Sequence, residues 1–167
     1  MVLSREELSR ALQHEIKILL HLAGKLEPAM LDYRPTPKQR SALELLRYLA
    51  AMAPGLIEVA DTGTFSPPAW TAHEQAAAAR DFEQTLSSIA AQGVEFGQLE
   101  TRWSDAEMRA EIAPWGEKTS RGAFLVAFLL CGYAAYRTQL FLYLKACGRE
   151  ELGTINLWDG ADPAKKS

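Results

Sequence analysis

Residues 122–148, GAFLVAFLLCGYAAYRTQLFLYLKACG, decide the fold. From Gly122 to Tyr136 the stretch is apolar, and Arg121 and Arg137 bound that run. It falls short of the about 20 apolar residues that a membrane span needs, so it reads as a helix buried on most of its sides in a bundle. The helix is expected to begin near Thr119 or Ser120 and to end at Cys147, with Gly148 as its cap. A helix this apolar cannot stand alone, and the rest of the chain supplies partners with the same periodicity.

Upstream, Ser4 and Glu7 form a capping box, in which the serine hydroxyl takes the Glu7 amide and the glutamate reaches back. Leu8, Leu12, Ile16, Leu19, Ala23 and Leu26 follow at helical spacing. Pro35 and Pro37 force an extended connection. A second helix is expected from near Lys38, with Ala42, Leu45, Leu46, Leu49, Ala50, Ala53 and Ile57 as its stripe and Pro54 kinking or ending it. Asp61 to Trp70, DTGTFSPPAW, reads as a loop. Thr71 and Glu74 form a capping box that opens a third helix to about Gln92, closed by Gly93. Ser104 and Glu107 open a short helix to about Ile112, and Pro114, Trp115 and Gly116 make a turn. Helices without alternating strands indicate an all-α four-helix bundle, with a long connection between the second and third helices and an irregular one between the third and fourth. Residues 1–167 form one domain, with a core over about 4–150. In the tail, 151–167, Leu157 and Trp158 pin part of the segment and the last residues are expected to be loose.

Bulk properties narrow the function classes. Apolar residues make up 48% of the chain and charged ones 23%, which excludes a disordered chain. A net charge of -3 without a basic face argues against a nucleic-acid partner. No signal peptide is legible at the start, and a cytoplasmic location without membrane insertion is expected. Cys131 and Cys147 lie about 24 Å apart along one helix, too far to pair, and read as small buried hydrophobes. His14, His21 and His73 read as solvent-facing. No GxSxG, P-loop, HExxH or GxGxxG motif is present.

Two segments carry a family likeness: YRPTPKQRSALELLRYLA (33–50) and YAAYRTQLFLYLKACG (133–148). Together, in this order and at this separation, they resemble the DinB/YfiT-like superfamily of metalloproteins over about residues 4–150. The resemblance implies a four-helix bundle in which three histidines, from the second and fourth helices, hold one divalent ion. In this chain those histidine positions fall on Tyr48, Gly132 and Tyr136. Glycine has no ligating atom, and a neutral tyrosine is a poor ligand since its ordinary pKa is about 10. The metal site is therefore expected to be degenerate, with no metal and no cofactor.

Tyr48, Tyr133 and Tyr136 are expected to line one end of the bundle, with Arg137, Gln139 and Glu44 close by. Two readings stay open: the tyrosines fill the vacated space as a structural plug, or they line a pocket for a small molecule. The expected function is an unassigned DinB-like protein that binds a small ligand or acts as a homodimer, dimers being the commonest closed assembly. The alternative is a thiol-dependent transferase or isomerase, as in relatives of the fold, with Arg137 or a tyrosine hydroxyl standing in for the ion.

Overall fold

Serine and aspartate side chains set where the helices start. The computed structural model describes residues 3–164. The Ser4–Glu7 box opens α1 (Arg5–Ala23) as expected. Helix α2 (Ala42–Thr62) starts later than the Lys38 expectation, because Ser41 and Glu44 form a capping box of their own. Glu44 Oε2 accepts from the Ser41 amide at 2.8 Å. Pro54 neither ends nor stops α2, which runs on to Thr62.

The expected third helix is two helices. Helix α3 (Pro67–Ala78) is capped by Ser66 with proline in its first turn, which is the position proline favours. Thr71 and Glu74 therefore lie inside α3 and cap nothing. Helix α4 (Phe82–Gly97) restarts at an Asp81–Gln84 capping box, and Gly93 sits within it rather than closing it. The connection onward holds α5 (Leu99–Arg102) and α6 (Asp105–Arg109), the latter on the Ser104–Glu107 box. A short antiparallel ladder follows, β1 (Glu111–Ile112) on β2 (Thr119–Ser120).

The last long helix, α7 (Arg121–Ala146), is interrupted. It is α-helical to Phe124, a π-helix over Leu125–Leu130, and α-helical again from Cys131. Gly148 follows in the left-handed conformation, φ 93°, as the expected cap. Helix α1 packs on α4 and α7, and α2 packs on the same pair, so α1 and α2 occupy opposite corners of a four-helix bundle, while α3 lies against α2. Leu12, Leu19, Leu45, Leu49, Ile89, Phe96, Leu125, Leu129 and Leu140 fill the centre.

Helix α7 is less covered than its composition implies. By length and composition it could cross a membrane, yet only 28% of its most apolar window is buried. Ala127, Phe128, Cys131 and Ala135 form an exposed strip. Cys131 is exposed and Cys147 half-buried, so neither is the buried hydrophobe expected of it.

The tail is held firmly as far as it is described, and residues 165–167 lie outside the described residues. Helix α8 (Thr154–Trp158) lies on α1. His14 Nε2 contacts the Trp158 carbonyl at 2.7 Å, and Asn156, 1% exposed, reaches His21 Nε2 at 3.0 Å. His21 is thus largely covered by the tail rather than solvated, and burial with nearby Lys25 lowers its pKa. Gly160 (φ 58°) lets the chain pass so close to α1 that a Cβ there would meet the Ile18 Cα at 2.9 Å.

One polar chain crosses the core. Pro54 has no N–H, so the Ala50 carbonyl four residues earlier lacks its helical donor. Gln92 Nε2 of α4 donates to that carbonyl at 3.1 Å and to Leu49 O at 3.3 Å. Tyr133 of α7, fully buried, donates its hydroxyl to Gln92 Oε1 at 2.5 Å. Gln92→Leu leaves the carbonyl and the phenol unsatisfied and is expected to cost about 2–5 kcal/mol, and Tyr133→Phe about 1–2 kcal/mol. The double variant should lose less than the sum in urea unfolding, because the phenol is no longer stranded. Strict additivity of the two losses would show that the three groups do not act as a unit.

Candidate functional site

Between α2 and α7 lies an open cleft of about 520 Å³. Tyr48, Met52 and Leu56 come from α2; Phe128, Cys131, Gly132 and Tyr136 come from α7. Phe65, from the turn after α2, Trp70 of α3 and Trp115 of the β1–β2 turn complete it. The rings touch in sequence. Tyr136 meets Tyr48 edge-on at 5.1 Å between centroids, Tyr48 meets Trp70 at 6.4 Å, Trp70 meets Phe65 at 5.7 Å, Phe65 meets Trp115 at 5.9 Å and Trp115 meets Phe128 at 4.8 Å. Residues 128, 132 and 136 recur every four on α7, so that helix closes the circuit.

Local sequence explains the shape. Gly55 lets Trp70 lie directly on α2, where a Cβ would come within 2.8 Å of its ring. His73 Nε2, 2.9 Å from Glu58, fastens α3 beside it, so His73 is a half-buried fastener rather than a solvent-facing residue. Gly132 brings α7 onto Met52, whose Sδ would lie 3.2 Å from a Cβ. The π-helix ends directly before Cys131, and such segments recur at functional sites.

Of the residues singled out in the sequence, Tyr48, Gly132 and Tyr136 share the cleft. The tyrosines both pack on each other and leave space beside them. Tyr133 does not join them, being buried against Phe96, at 5.8 Å between centroids, and bonded to Gln92. Arg137 turns the other way, into a buried ion pair with Glu15 of α1, and donates to the Leu157 carbonyl beneath the Trp158 ring. Glu44 is spent on the Ser41 box and on Arg34 at 3.2 Å. Gln139 donates to Tyr143, whose hydroxyl in turn reaches the Arg40 carbonyl, so Gln139 acts within its own helix. Phe65, Trp70, Trp115 and Phe128 were not singled out as site residues. The available signal was large aromatics in proline- and glycine-rich connections, where burial alone does not require them.

The donor set is poor for an ion. Burial, and next the neighbouring Tyr136 hydroxyl, push the Tyr48 phenol up to about 12, so it stays neutral. Among the described residues no group of three His, Cys, Asp or Glu side chains is placed to hold a metal. A larger groove of about 670 Å³ beside Leu8, Met108, Ala123 and Val126 contains neither an aromatic residue nor a carboxylate.

The DinB-like protein YjoA of Bacillus subtilis has a similar solved structure, with a TM-score of 0.68 over 88% of this chain and 95% of that one, at 16% identity. The chain has the DinB-like fold. No family model and no curated protein matches the sequence. At this identity the DinB-like likeness concerns the path of the chain and not its chemistry.

A phenol held protonated adds a pH dependence. Below pH of about 10 the folded and unfolded chains both keep the proton. From there up to about 12 the unfolded chain loses it first, and folding stability falls as pH rises. Buried Tyr133, pushed well above 10 by burial, acts in the same direction. Tyr48→Phe should flatten the decline in urea stability across this window and remove one late component from the phenolate absorbance titration. An unchanged late component would place the Tyr48 phenol in free contact with water.

Proposed function

We propose that this DinB-like protein is a soluble, cytoplasmic, single-domain binder of a small aromatic molecule, with no resident metal ion. The observation that carries the reading is the run of contacting rings, from Tyr136 to Phe128, that borders an open cleft at the positions where the family resemblance would put an ion. A cleft of this size suits a drug-sized molecule. Its walls offer aromatic faces, two phenols and a thiol, so recognition would rest on stacking and apolar burial with a few hydroxyl contacts. A homodimer remains part of the reading, since the exposed strip of α7 next to the cleft is apolar.

The thiol-dependent enzyme is supported less. Arg137 is committed to Glu15 and the tail on the far side of α7, so it does not face a thiolate in the cleft. Tyr48, at about 12, is a weak proton donor near neutral pH.

Neutral N-phenyl-1-naphthylamine should bind saturably with one equivalent per chain and quench Trp70 and Trp115. It should also slow alkylation of the exposed Cys131, read by peptide mass spectrometry. Ala135→Trp, at an exposed lining position, should weaken binding at least tenfold while leaving the helical circular dichroism intact. Unsaturable partitioning of the probe, with no protection of Cys131, would count against the cleft as a binding site.

A further inference from the structure

Tyr48 is a shared wall. One side faces the aromatic cleft; the other faces a second cavity of about 260 Å³, lined by Arg40, Glu44, Arg47, Tyr48 and Glu74 among others. The Arg40 guanidinium stands 3.9 Å from the centre of the Tyr48 ring, which fixes it over the boundary between the two spaces.

The charges in this second cavity are not equally available. Glu44 is taken by Arg34 at 3.2 Å and by the Ser41 amide. Arg47 gives its Nε to the Arg80 carbonyl at 2.8 Å and its Nη2 to the same oxygen. Arg40 has no ion-pair partner among the described residues, and its side chain is exposed. Glu74 is the remaining carboxylate, and it adds its field to Tyr48. The lining holds two arginines and two glutamates, and with Glu44 turned to Arg34 outside it, Arg40 is the cation that stands over the Tyr48 boundary.

We propose that the ligand is an aryl carboxylate: its rings occupy the aromatic cleft, and its carboxylate passes the edge of Tyr48 to the Arg40 guanidinium. This deepens the proposed function and rests on that reading of the cleft. An arginine already stacked on a ring loses little freedom on binding, and its planar fork matches a carboxylate. A fixed cation lets a cleft distinguish an acid from a neutral molecule of the same shape, and Arg40, which stands beside this one and makes no salt bridge among the described residues, can supply it.

The test compares 2-naphthylacetate with the uncharged 2-naphthylacetamide at neutral pH, by tryptophan quenching, on the full chain and on Arg40→Gln. The acid should bind about tenfold tighter than the amide to the unaltered protein. In Arg40→Gln the preference should vanish while the affinity for the amide is kept, and added salt should weaken only the acid. Equal affinities in the unaltered protein, or a preference that survives Arg40→Gln, overturns the proposal. Failure of both naphthyl compounds to bind overturns it too, and N-phenyl-1-naphthylamine then tells the two claims apart. If that probe still binds, only the carboxylate inference has failed; if it does not, the cleft reading has failed with it. Circular dichroism of Arg40→Gln checks that an exposed substitution has left the bundle folded.

Discussion

A single missing hydrogen-bond donor organises this bundle. Proline at position 54 leaves the Ala50 carbonyl of α2 without its helical partner, in the middle of a core where such a group is costly. Gln92 supplies the donor and Tyr133 satisfies the remaining oxygen of Gln92, so one chain of bonds ties α2, α4 and α7 together. The chain also fixes how α7 is rotated about its axis. With Tyr133 turned into the core, the residue one helical turn on, Arg137, faces α1 and meets Glu15. Gly132 and Tyr136, turned away from Arg137 by about 140° and 100°, then face the cleft together with Phe128. The core bond, the ion pair under the tail and the cleft wall are three consequences of one register.

That register explains what could be read from the sequence and what could not. Periodicity, together with the serine boxes at Ser4 and Ser104, placed α1, α6 and the long last helix. Gly132 and Tyr136 share a face of α7 as i and i+4 positions do, and the structure places Tyr48 of α2 in the same cleft. Closeness in sequence was misleading for Tyr133 and Arg137, since neighbours on a helix point about 100° apart. The break between α3 and α4 was hidden in an alanine-rich run that favours helix throughout. It became visible only at the Asp81–Gln84 box, whose aspartate caps as well as serine does. Phe65, Trp70 and Trp115 lie far apart in the chain, and no local pattern joins them; only the packing of α3 and the β1–β2 turn against α2 and α7 does so.

The tail shows the same limit. Asn156, Gly160 and Asp162 are polar or small residues that look like solvent-exposed chain. Their partners, His21, the α1 backbone and Lys25, lie more than a hundred residues away. The buried Glu15–Arg137 pair gives that segment its purpose. An ion pair removed from water needs its remaining donors satisfied, and the Leu157 carbonyl and the Trp158 ring do this for the guanidinium.

The cleft is best understood by what it costs. Trp115 and Phe128 are about half exposed, at 52% and 44%, and Cys131 is exposed between Phe128 and Tyr136. A bundle selected for stability alone would close this end, either by letting α7 and α3 meet or by replacing the rings with polar side chains. Here the opposite is built in. Gly55 seats Trp70 flat on α2, Gly132 admits Met52, and the His73–Glu58 contact holds α3 where its tryptophan becomes a wall. Each device orders an aromatic surface that then faces empty space. Tyr48, Gly132 and Tyr136 border that space, and the two phenol rings pack edge-on against each other beside it. Ordered aromatic surface left uncovered beside the Arg40 guanidinium is the feature on which the proposed ligand rests.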